Sequence, residues 1–284
     1  MSAVDNPLVS TEWLHDHLGD PRLRVLDATW YLPGDPRDPR ADFLRARIPG
    51  AQFFDLDAVA DHTTPLPHMV PTPEAFALAV EQLGISDGDT VVAYHDAEML
   101  SAPRAWWMFR LFGHSHVFVL DGGLSRWMAE GRPVEDGPAE PPVMGRFTPQ
   151  LDRELIRSLD QVRRALDGGG EQVVDARSAA RYLGQLEEPR AGVRAGHMPG
   201  ALNLPAQSLF GPDGLMLPEA ELARAFANAG VEPDQPIVTS CGSGVSACSL
   251  NLALARLGHW RTAVYDGSWT EWGSRPDTPV VTGP

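Results

Sequence analysis

Short apolar runs of strand length recur along the chain, each followed by a polar loop or an amphipathic stretch. Residues 24–28 and 172–176 are apolar and end in Asp-Ala, and 90–94 and 236–240 form a second such pair. The 3.6-residue period appears over 73–83 and 218–229, which predicts amphipathic helices ending at Gly84 and Gly230 in left-handed caps. A Pro-Gly turn, Ile48-Pro49-Gly50-Ala51, returns as Met198-Pro199-Gly200-Ala201. After 94 and 240 a further helix runs to Gly113 or Gly258, and a last strand reaches Asp121 or Asp266. Strands alternating with helices predict an α/β fold: a parallel sheet flanked by helices in each half.

The halves are copies. Ser101, Ala102, Gly113, His114, Asp121, Gly122 and Trp127 recur 145 residues later as Ser246, Ala247, Gly258, His259, Asp266, Gly267 and Trp272. The expected organisation is an N-terminal domain over 1–136, a Pro- and Gly-rich linker over 137–150, and a C-terminal domain over 151–284. At the same spacing Cys241 falls opposite Asp96. One copy holds a potential nucleophile and the other a carboxylate, so 151–284 is the expected catalytic domain and 1–136 the inactive one.

Composition narrows the chemistry. A net charge of −15 argues against nucleic acid or an anionic membrane as a partner, since both require a positive field. All 23 residues of the Lys/Arg class are arginine, which excludes lysine Schiff bases and the lysine of a phosphate-binding P-loop. The only cysteines are Cys241 and Cys248, with no Cys-x-x-Cys, so neither a disulfide scaffold nor a structural zinc site is expected. His15 with His17 and His114 with His116 lack further ligands at metal spacing, and no metal or organic cofactor is expected. No basic leader followed by an apolar run and no 18-residue apolar stretch is seen, so the expected location is the cytoplasm.

Cys241-Gly242-Ser243-Gly244-Val245-Ser246-Ala247 lies between a buried strand and a helix beginning near 245. Its glycines let the backbone curl with N–H groups inward, and the helix directs its positive end at the same point. Both favour a thiolate, the reactive form of cysteine. Cys248, on the following helix, reads as a buried apolar residue, and the tryptophans as packing residues.

The repeated halves, this loop and Asp266-Gly267-Ser268-Trp269 together resemble the tandem-domain rhodanese sulfurtransferases over nearly the whole chain. The resemblance implies a catalytic C-terminal domain and an inactive N-terminal one. Thiosulfate-specific members have basic residues after the cysteine, whereas Gly242, Ser243 and Gly244 are neutral, as in the 3-mercaptopyruvate sulfurtransferases. The usual threonine of their loop is replaced here by Ser246, which keeps the hydroxyl. The resemblance further implies that Arg181 and Arg190 hold the donor carboxylate, with Arg194 a weaker candidate, and that Gly242, Gly244, Val245 and Ser246 line the donor site. It also implies a proton relay of Ser243, His68 and Asp57, a hydroxyl oriented by a histidine oriented by a carboxylate. The expected reaction passes sulfur from 3-mercaptopyruvate through a Cys241 persulfide to a small thiol, a thioredoxin-like protein or cyanide, releasing pyruvate. Three alternatives remain: a thiosulfate sulfurtransferase, a cysteine-dependent phosphatase and a non-enzymatic sulfur-binding module. The phosphatase would need a longer loop ending in arginine, where this chain has Ala247.

Overall fold

The computed structural model of the chain describes residues 6–96 and 100–284. They divide into two compact units. Unit 1 holds the described residues through Asp61, Val70–Asp152 and Pro212–Met216; unit 2 holds His62–Met69, Arg153–Gly211 and Leu217–Pro284. Each unit therefore contains a short arm from the other half of the sequence.

Unit 1 is built from strands β1 (Leu8–Val9), β2 (Leu23–Asp27), β3 (Gln52–Phe53), β4 (Thr90–Tyr94) and β5 (Val117–Leu120). Its helices are α1 (Thr11–His17), α2 (Pro39–Arg45), α3 (Pro73–Gln82), α4 (Ala102–Leu111) and α5 (Gly123–Ala129). Unit 2 repeats the series with β6 (Ile156–Arg157), β7 (Gln172–Asp175), β8 (Leu202–Asn203), β9 (Ile237–Ser240) and β10 (Ala263–Tyr265). Its helices are α6 (Leu159–Leu166), α7 (Ala179–Tyr182), α8 (Glu219–Asn228), α9 (Ala247–Arg256) and α10 (Ser268–Ser274). The sheets are ordered β1-β5-β4-β2-β3 and β6-β10-β9-β7-β8, one permutation used twice. Every strand pair is parallel. The α/β class and the duplicated sheet agree with the sequence reading.

β4 and β9 are central in their sheets, and β9 is buried at all its positions. A strand covered on both faces needs continuous apolar sequence, as Ile237-Val238 supplies. The helix after it is also buried almost all round, from Ala247 to Ala255, which explains its alanines and leucines. At the expected surface helices the ends are set locally. Thr72 accepts the Ala75 N–H at 3.2 Å to start α3, and Gly84 (φ 77°) closes it where a Cβ would meet Pro142 Cβ at 2.7 Å. In α6 a capping box pairs Ser158 with Gln161, whose Oε1 accepts the Ser158 N–H at 2.8 Å.

The cores are duplicated down to individual side chains. Trp127 and Trp272 are both buried, and each indole N–H donates to a proline carbonyl, Pro133 at 2.7 Å and Pro279 at 2.8 Å. Each thus buries its full ring without leaving a donor unpaired. Truncating either to alanine costs about 3–5 kcal/mol by loss of packing.

Residues 137–150, read from sequence as a linker, include a stretch that seats on unit 1. Phe147 is buried against Phe76 and Phe109, at ring distances of 5.7 and 6.2 Å, and its N–H donates to Glu81 Oε1 at 2.9 Å. The Gly145 N–H donates to the Glu81 carbonyl and that of Gln150 to the Phe112 carbonyl, each at 2.8 Å. One aromatic ring and backbone hydrogen bonds hold this stretch, so it shows no apolar period. Among the described residues no helix is long and apolar enough to cross a membrane.

Candidate functional site

The β9 strand delivers Cys241 at its carboxyl end, in the middle of the sheet of unit 2. The thiol residue is 2 % exposed. Its backbone is pinned from α10: the Cys241 N–H donates to Ser268 Oγ at 3.2 Å, and the Cys241 carbonyl accepts the Trp269 N–H at 2.9 Å. Ser268 in turn donates to the Tyr265 carbonyl at 2.8 Å. The Gly242 carbonyl takes both the N–H of Thr270 at 2.9 Å and its hydroxyl at 2.6 Å. The loop is therefore fixed through its carbonyls. The N–H groups of Gly242, Ser243, Val245 and Ser246 donate to no acceptor among the described residues, which leaves an anion cradle next to the sulfur.

α9 starts at Ala247, two residues later than expected, with Ser246 as its N-cap residue. Cys248 is fully buried on it; its thiol donates to the Gly244 carbonyl at 3.3 Å and its N–H to the Val245 carbonyl at 3.2 Å. It closes the far side of the loop, in keeping with a packing role.

Ser243 and His68 are brought together. Ser243 Oγ lies 3.0 Å from His68 Nδ1, and both residues are 5 % exposed. His68 belongs to the arm His62–Met69 of unit 2 and adopts a left-handed backbone, φ 58°. For a non-glycine residue that conformation is uncommon and costs energy, so the arm's surroundings hold it there. Asp57 is in unit 1, exposed, and accepts a hydrogen bond from Trp30 Nε1 at 3.1 Å.

Arg181 lies over the loop: a Cβ added to Gly242 would meet its Nη2 at 3.1 Å. A side chain at this position would make the guanidinium give way by a few tenths of an ångström. Arg181 binds Glu188 through Nε at 3.2 Å and by a shorter contact from Nη2, while its Nη1 has no acceptor among the described residues. Arg190 is half-buried in the bend that follows. Arg194, a weaker candidate from sequence, is instead structural. It donates to the carbonyls of Gly273 at 2.9 Å and Thr278 at 3.0 Å and to Thr278 Oγ1 at 2.7 Å, holding the end of α10.

Arg177 and Glu188, absent from the sequence reading, join the group. Arg177 is completely buried, bonded to Asp175 at 2.6 Å, Glu188 at 2.8 Å and the Gly196 carbonyl at 2.8 Å, and stacked 4.4 Å from the Trp269 ring. Burial works against its charge, but Asp175 and then Glu188 outweigh that and hold its pKa above the ordinary arginine value. The available signal was an arginine two residues beyond a buried strand-end aspartate. Among the described residues no cluster of three or more His, Cys, Asp or Glu could hold a metal ion.

A duplicated five-stranded parallel sheet with a cysteine in a glycine loop after the central strand of one copy defines a class. The Rhodanese-like domain family matches residues 10–130 and 158–275, and the chain belongs to that family. It is similar to 3-mercaptopyruvate sulfurtransferase of Escherichia coli K12, 42 % identical over 273 residues covering 96 % of each chain. It is also similar to the mitochondrial thiosulfate/3-mercaptopyruvate sulfurtransferase 1 of Arabidopsis thaliana, 42 % identical over 98 % of this chain and 79 % of that one. Among solved structures, that of the 3-mercaptopyruvate sulfotransferase SseA from Escherichia coli superposes with a TM-score of 0.85 at 40 % identity, covering 93 % of this chain and 99 % of that one.

Proposed function

We propose that the protein is a 3-mercaptopyruvate sulfurtransferase acting through a persulfide on Cys241. The observation that carries this reading is Arg181, whose Nη1 has no acceptor among the described residues, set against Gly242 of the cysteine loop. A guanidinium fork matches a carboxylate, and the relatives named for 3-mercaptopyruvate support the same donor. With a net charge of −15, an anionic donor needs such a local cation.

The Cys241 thiolate attacks the sulfur of 3-mercaptopyruvate. A sulfur–sulfur bond forms as the carbon–sulfur bond breaks, and its electron pair stays on carbon as the enolate of pyruvate. Ser243, backed by His68, delivers the proton that turns the enolate into pyruvate. Arg181 and Arg190 hold the donor carboxylate. The unpaired N–H groups of the loop stabilise the persulfide anion. An acceptor thiolate then takes the outer sulfur and restores the Cys241 thiolate. A small thiol or a reduced thioredoxin-like protein is the acceptor in this reading, and the cytoplasm the location.

Thiosulfate is the second donor to test, because the Arabidopsis relative is named for both. Steady-state sulfur transfer to cyanide from each donor, for the parent and Cys241→Ser, tests the reading. A higher kcat/KM for 3-mercaptopyruvate, abolished by the substitution, is expected. Greater turnover of thiosulfate would overturn the donor assignment, and activity surviving in Cys241→Ser would overturn the persulfide.

A further inference from the structure

Four charged side chains form a line from the sheet to the loop. Asp175 ends β7; Arg177 binds it through Nε and Nη2 and passes Nη1 to Glu188 Oε1 at 2.8 Å. Glu188 uses the same Oε1 to accept Arg181 Nε at 3.2 Å, and its Oε2 accepts Arg181 Nη2. Exposure rises along the line: the side chains of Asp175 and Arg177 are 0 % exposed, Glu188 4 % and Arg181 20 %. The inner three are solid, and only the last reaches solvent and the loop.

From this we infer that Glu188 is a positioning residue for the donor-binding arginine. It takes two of the three nitrogens of the Arg181 guanidinium, leaving Nη1 to the donor. Its own place is fixed by Arg177, which is anchored by Asp175, the Gly196 carbonyl and the Trp269 ring. An arginine side chain loses much rotamer freedom when it binds, and a carboxylate that orders it beforehand removes that cost from donor binding. The two carboxylates hold the inner nitrogens of the two arginines, and the N–H donors of Arg181 Nη1 stay available to the donor's carboxylate. Glu188 touches neither donor nor sulfur; it acts on KM through Arg181. The inference rests on the reading of Arg181 as the donor contact.

The test is a double-mutant cycle of Glu188→Gln with Arg181→Ala, read as KM and kcat for 3-mercaptopyruvate with cyanide as acceptor. Glutamine keeps the shape, and with its carbonyl oxygen in the place of Oε1 its NH2 group faces Arg181 Nη2, so Arg181 loses part of its hold. The expected result is a rise in KM of about tenfold for Glu188→Gln with kcat within about twofold, and no further rise when Arg181 is already alanine. Glu188→Asp, which keeps the charge and shortens the reach, should show the same split at smaller size and carries the test if the glutamine variant fails to fold. An equal rise in KM in both backgrounds, or an unchanged KM in folded Glu188→Gln, would overturn the inference alone. An unchanged KM in Arg181→Ala would overturn the donor contact itself and this inference with it.

Discussion

Asp27 and Asp175 end equivalent strands, and each accepts the N–H of the residue two positions on, from Thr29 or Arg177, at 2.9 Å. The turn is the same; the electrostatics are opposite. In unit 2 the aspartate faces a buried guanidinium. In unit 1 a threonine stands at that position, and burial lifts the Asp27 pKa to about 6 despite hydrogen bonds from Thr29 and Tyr94, with Asp96 adding repulsion. The neighbouring loops differ likewise. Asp96 accepts the Ser125 hydroxyl at 2.6 Å, while Cys241 has only its backbone tied, to Ser268 and Trp269. The repeated backbone is thus a scaffold indifferent to charge. The arginine appears only where it continues outward to Glu188 and Arg181.

The largest effect comes from asking whether the nucleophile alone separates the two loops. Cys241→Ser should lower turnover by more than about a thousandfold, and adding Asp96→Cys should not restore it, since unit 1 has Thr29 where the arginine line of unit 2 begins. Recovered activity in a cyanide assay would reduce the difference between the units to one side chain. Arg177→Met should destabilise unit 2 by about 3–5 kcal/mol in urea unfolding, because it leaves Asp175 and Glu188 buried with one cation removed. A change under about 1 kcal/mol would show that the ion pair contributes nothing unit 1 lacks.

Asp27→Asn should act in the opposite direction. The folded pKa near 6 lies above the ordinary 3.8, so the folded state binds the proton more tightly. That contribution is fully present below about pH 4 and is lost as pH rises through about 6. At pH 7 the substitution should therefore stabilise unit 1 by up to about 3 kcal/mol and flatten its stability between pH 4 and 6, which unfolding curves at several pH values would reveal. The smallest effect concerns Ser268, at φ 50°, where unit 1 has Gly123. Ser268→Gly relieves backbone strain but removes the acceptor of the Cys241 N–H. Turnover should fall a few-fold, with stability within about 1 kcal/mol of the parent in parallel melts.

Much of the fold was legible because the cues were local and repeated. The 145-residue spacing, the strand runs and the glycine at the end of α3 each act within a few residues of where they are seen. The site was legible less evenly. Loop residues around Cys241 follow from the motif, but the meeting of Ser243 with His68 spans 175 positions and no local pattern announces it. Arg177 and Glu188 carry charges that composition assigns to the surface; only their mutual pairing lets them be buried. Arg194 erred the other way, since an arginine near the donor arginines serves carbonyls instead.

The exchanged arms also impose a timetable. Residues 62–69 leave a ribosome long before residue 243 is added, and unit 1 likewise awaits residues 212–216. At about 5–20 residues per second the interval of 175 residues between His68 and Ser243 corresponds to roughly 10–35 s. Unit 1 has all its residues only once 216 is made, and the arm 62–69 waits for the rest of unit 2, so the nascent chain carries an unsatisfied arm through most of its synthesis. A cut between the two sequence halves would yield two fragments, each lacking a piece of itself.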